Sequence, residues 1–68
     1  MVDLKKLRST IDESGLKINA LSDKAGINRA TLYKRLSGQG EFTVSEISGL
    51  CEVLRLSAAD RERIFFAK

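Results

Sequence analysis

The chain has 68 residues, a net charge of +3 and 43% hydrophobic residues, with one cysteine, no histidine and no proline. That length serves one small domain with a marginal core, and the apolar share excludes a disordered polyelectrolyte. Lone Cys51 excludes an internal disulfide framework, and no segment reaches the roughly 18 apolar residues of a membrane span.

The expected element order is five helices. The first runs from Asp3 to Ser14, with Leu4, Leu7 and Ile11 on one face, Asp3 as its cap and Gly15 as its stop. The second runs from about Ile18 to Ala25, with Ile18, Leu21 and Ala25 at helical spacing. It begins poorly, because Lys17 stands where a capping side chain belongs, and Gly26 ends it. The third starts after Asn28, a good N-cap, and runs over about 29–37, with Leu32 and Leu36 inward. Gly38 and Gly40 then bracket a turn. The fourth opens on "TVSE", Thr43 to Glu46, which has the form of a capping box, and carries a stripe of Ile47, Leu50, Cys51 and Leu54. The fifth begins at Ser57 and carries Ile64, Phe65 and Phe66. No pair of alternating apolar runs flanks a hairpin turn. The fold class expected is all-α: a compact orthogonal bundle of five short helices forming a single domain over residues 1–68.

Charge is unevenly spread. Between Lys17 and Leu36, five cations face Asp23 alone, a net +4; between Glu41 and Glu62, five carboxylates face Arg55 and Arg61, a net −3. Such polarity orients an encounter with a polyanion. About three residues around Gly26 join the second and third helices, and so short a joint forces the sharp angle of a helix-turn-helix. Leu21, Ile27, Leu32 and Leu36 form the inward set. Arg29, Tyr33, Lys34 and parts of Ala30 and Thr31 point outward. A helix restarted at that angle is pushed outward by the one beneath it, and the DNA major groove, about 12 Å wide, admits it.

These residues resemble the phage-repressor and Cro-like (XRE-type) helix-turn-helix family, whose fold is lambda-repressor-like. The pattern is carried by Leu21, Ser22, Gly26, Ile27, Asn28 and Leu32. "GEFTVSEISGLCEVLRLS" resembles the fourth helix of short phage repressors and "RERIFFAK" the fifth. The chain departs at Ser22, where the family usually has alanine, at Ile18, where many members have a phosphate-binding glutamine, and at Arg35, often an apolar position. The resemblance implies base readout by Asn28, Arg29, Ala30, Tyr33 and Lys34. It implies phosphate contacts from Lys17, Asn19, Thr31, Arg35, Ser37 and the backbone of the "SGQG" turn.

Adjacent aromatics on a helix point about 100° apart, so Phe65 and Phe66 do not both enter one small core. One is expected inside and the other, Phe66, outside as a possible dimer contact. A symmetric dimer sets its two recognition helices about 34 Å apart on a palindromic operator. Cys51 is expected to be a small core residue. With no histidine, no paired nucleophile and base, and no metal-ligand cluster, the expectation is a cofactor-free cytoplasmic protein that is not an enzyme. The functional expectation is a Cro-like transcriptional repressor of phage or prophage, bound to double-stranded DNA as a homodimer. Within these residues no ligand-sensing segment is recognisable, so its control is expected to rest on concentration. The rival expectation is a protein-interaction module on the same fold: an antitoxin, antirepressor or adaptor.

Overall fold

The structure is a computed structural model that describes residues 1–67; Lys68, the last residue of the expected domain, lies outside them. Five helices are formed, α1 (Leu4–Ser14), α2 (Ile18–Ala25), α3 (Arg29–Leu36), α4 (Val44–Leu54) and α5 (Ala58–Phe65), with no strand among the described residues.

Local chemistry explains most of the boundaries. The Asp3 carboxylate accepts from the Lys6 amide at 3.0 Å and caps α1. Lys17 makes no side-chain cap, so α2 starts without one. The capping box at α4 is complete: the Thr43 hydroxyl accepts from the Glu46 amide at 3.2 Å, and Glu46 accepts from the Thr43 amide at 3.0 Å. The Ser57 hydroxyl accepts from the Asp60 amide to cap α5. Each satisfies an amide that a helix's first turn leaves free, worth about 1 kcal/mol.

Gly26 ends α2 at φ +71°, left-handed geometry that a Cβ would strain. The next amide, on Ile27, folds back to the Ser22 carbonyl at 3.0 Å, and Ile27 is buried below the turn. The end of α4 uses the same closure, with the Leu56 amide on the Cys51 carbonyl. There the left-handed residue is Arg55, at φ +55°. No glycine marks that stop, and nothing in the sequence announces it.

Four leucines from four helices, Leu7, Leu21, Leu32 and Leu50, meet with no exposed surface. Burying each stabilises the fold by about 1.5–3 kcal/mol. Ile11, Ile27, Leu36, Ile64 and Phe65 complete the core. The expected α4 stripe is buried only at Leu50. Ile47, Cys51 and Leu54 are half-buried at its margin, because so short a chain has too little mass to cover the flanks of every helix. Phe65 is buried and meets Phe42 edge to face, ring centres 5.6 Å apart, while Phe66 stays 50% exposed. The Asp3 amide donates to the Ile64 carbonyl at 2.7 Å, which ties the start of α1 to α5.

Packing of α2 is the part that positions the site. It lies against α3 on one side and α4 on the other. On the α4 side the approach is close: a Cβ on Gly49 would stand 2.5 Å from the Ala25 carbonyl oxygen. Ser22 is fully buried in α2, with its hydroxyl donating to the Asn19 carbonyl at 2.8 Å, so a serine fits a small-residue position without an orphaned polar atom.

Candidate nucleic-acid interface

The outward face of α3 is set by what its inner face buries. Leu32 and Leu36, four residues apart, point to the core. Their burial turns Ala30, Tyr33 and Lys34 to solvent, Tyr33 at 54% exposure, and Arg29 is exposed as the first residue of the helix. Thr31 is half-buried on the flank.

Both ends of α3 are held by side chains. At the start, the Asn28 carboxamide oxygen accepts from the Thr31 amide at 3.2 Å. That leaves its NH2 group as the part of Asn28 available to donate to a ligand. At the end, the Arg8 guanidinium of α1 donates to the Leu36 carbonyl, a charge-assisted bond to the last residue of the helix. Ser37 closes the helix with its hydroxyl on the Lys34 carbonyl at 2.9 Å. Sequence reading did not foresee the part played by Arg8. Its partner lies 28 residues away, and a surface arginine on an amphipathic helix carries no local sign of where it reaches.

The residues expected to contact phosphate are not all alike. Lys17 and Asn19, at the start of α2, are exposed, as is Ser37. Arg35 is instead half-buried. Its Nε donates to Glu46 at 3.3 Å and its Nη1 to the Gln39 carbonyl at 3.4 Å. Glu46 therefore serves twice, as the return half of the α4 capping box and as the anchor that ties the end of α3 to α4. Replacing it, Glu46→Ala, removes the return bond and leaves Arg35 without its carboxylate. We expect about 2 kcal/mol less stability, read as a lower urea midpoint at unchanged m.

Arg29 also has a carboxylate partner. Its Nη2 lies 2.9 Å from Asp23 Oδ2, with both groups well exposed. The hydrogen bond first, and then the charge of Asp23, hold the guanidinium pKa above the usual arginine range. Burial pushes the Cys51 thiol up, opposed by the nearby charge of Arg61, so it stays a protonated, weakly reactive side chain at neutral pH.

Among the described residues no three His, Cys, Asp or Glu side chains are grouped to hold a metal ion, and no helix is long and apolar enough to cross a membrane. The arrangement offers a rigid, basic, hydrogen-bonding helix face instead. A search of curated proteins and of solved structures found no match. A family model described as the Cro/C1-type HTH DNA-binding domain matches residues 6–60, from the first turn of α1 into α5. With α2, the Gly26 turn and α3 all inside that match, the chain belongs to the Cro/C1-type helix-turn-helix family of DNA-binding domains.

Proposed function

We propose that this protein is a sequence-specific transcriptional regulator, a Cro-like repressor of phage or prophage that occludes its operator as a homodimer. The observation that carries the reading is the division of α3: Leu32 and Leu36 are sealed in the core while Arg29, Ala30, Tyr33 and Lys34 stand together on the free face. Those side chains suit base edges. An arginine donates two bonds to guanine, an asparagine NH2 reaches an acceptor, and the Ala30 methyl packs on that of thymine. Lys17, Asn19, Thr31 and Ser37 flank them and bind phosphates, which position the helix without reading sequence. Arg35 joins them by exchanging Glu46 for a phosphate. In this reading residues 1–68 act as one domain, and Phe66, beside Val44 at 85% exposure, supports the dimer contact.

Selection of the purified protein on a randomised duplex pool, repeated across a salt series, tests this. The expected result is a palindromic site with half-sites about ten base pairs apart and an affinity that falls steeply with salt. A salt slope with no enriched sequence replaces the regulator by an accessory DNA binder. No binding at low salt moves the function to a protein partner.

A further inference from the structure

Among the described residues, the Asp23–Arg29 pair is the one side-chain hydrogen bond between α2 and the exposed residues of α3. Asp23 lies three residues before the Gly26 turn and Arg29 three residues after it, so the reversal of the chain brings them together. The contact uses a single bond, Nη2 to Oδ2 at 2.9 Å. Among the described residues Nη1 and Nε have no other partner and remain free to donate. Asp23 is also the one carboxylate within the basic stretch from Lys17 to Leu36. On a surface that meets a polyanion, a negative charge lowers affinity for any duplex. Its position beside Arg29 gives that charge a use.

We propose that Asp23 is a specificity-determining positioning residue: it holds the Arg29 guanidinium in one orientation for base readout and, by repelling phosphate, lowers the competing affinity for unrelated DNA. The inference rests on the assignment of Arg29 to base readout. An unrestrained arginine samples many rotamers and bonds either to phosphate oxygens or to base acceptors. A guanidinium anchored on a carboxylate has lost part of that freedom before it meets DNA, so less is lost on binding the matched base. An exposed ion pair of this kind changes an equilibrium by up to about fivefold, which sets the size of the effect.

The experiment measures binding of the full chain to its selected site and to every single-base variant of that site. Native protein is compared with Arg29→Ala, Asp23→Ala and Asp23→Asn, alongside an unrelated duplex and a thermal melt of each. Arg29→Ala identifies the base pair that Arg29 reads. Asp23→Ala is expected to weaken discrimination at that same base pair about fivefold, to leave the other positions as they were, and to raise affinity for the unrelated duplex about twofold at low salt. Asp23→Asn keeps an acceptor without the charge, so it retains more of the preference while showing the same rise on unrelated DNA. Three results overturn the proposal: intact discrimination in Asp23→Ala at the base pair flattened by Arg29→Ala, equal weakening at every position, or tighter binding to the selected site with its preference unchanged. If Arg29→Ala flattens no position, the assignment of Arg29 fails and the role of Asp23 fails with it.

Discussion

Gly49→Ala is expected to lower the unfolding free energy by about 2–3 kcal/mol, although alanine is the better helix former. In an exposed helix interior the change would stabilise by about 1 kcal/mol. Here the new Cβ meets the Ala25 carbonyl oxygen at 2.5 Å, with the Ala25 carbonyl carbon at 3.3 Å and its Cα at 3.5 Å. All three are backbone atoms, so no rotamer change relieves the contact, and α2 and α4 must separate. Separation loosens Leu21 and Leu50, which are fully buried on those two helices. Overpacking costs about 1–3 kcal/mol and occasionally more; a clash with fixed backbone atoms at 2.5 Å stands at the top of that scale, about 3–4 kcal/mol, which less the propensity gain of about 1 kcal/mol leaves about 2–3 kcal/mol. The total stability of a chain this size is roughly 3–10 kcal/mol. The melting temperature should therefore fall by about 8–24 °C, at roughly 4–8 °C per kcal/mol. Ser48→Ala, one residue earlier and exposed, is the control and should raise it slightly. A Gly49→Ala protein that melts higher than the native one would mean that α2 and α4 do not pack backbone to backbone.

The second large effect concerns DNA. Arg29→Ala combined with Lys34→Ala is expected to reduce affinity for the selected site about 100-fold and to relax its base preference, with the salt dependence, set by the phosphate contacts, changed far less. Both side chains are exposed, Arg29 at the first turn of α3 and Lys34 on the side away from Leu32 and Leu36, so the thermal melt should be nearly unchanged. The comparison separates the two classes of function that the fold admits. If the variant keeps its full affinity for duplex DNA, the exposed face of α3 is not the reading surface. If it loses DNA and still retains a protein partner that the native chain binds, the two activities use different faces.

Much of the fold was legible because its determinants are local. The Thr43–Glu46 capping box, Asn28 before α3 and the glycine stops at Gly15 and Gly26 each act within a few residues, and all stand where expected. The inward set of Leu21, Ile27, Leu32 and Leu36 followed from helical spacing across one tight turn, and all four are buried. Exposure of Tyr33 and Lys34 followed from the same period, and that of Arg29 from its place at the start of α3. Phe66 is exposed as expected, but the partner of Phe65 did not follow from spacing: only the packing of α5 sets its ring against Phe42.

The sequence by itself determined the five helices, the place of the turn between α2 and α3 and the face that α3 shows, because capping, glycine conformation and apolar period are written in neighbouring residues. Only the tertiary structure decided that Gly49 is a point of backbone contact, since within its own helix it reads as a weakness. The same holds for the side chains that hold α3 in place. Arg8 reaches the Leu36 carbonyl, Arg35 turns to Glu46 and Asp23 takes hold of Arg29. Each of these is a long or charged surface side chain whose partner comes within reach only after the helices have packed, and no local pattern records that meeting.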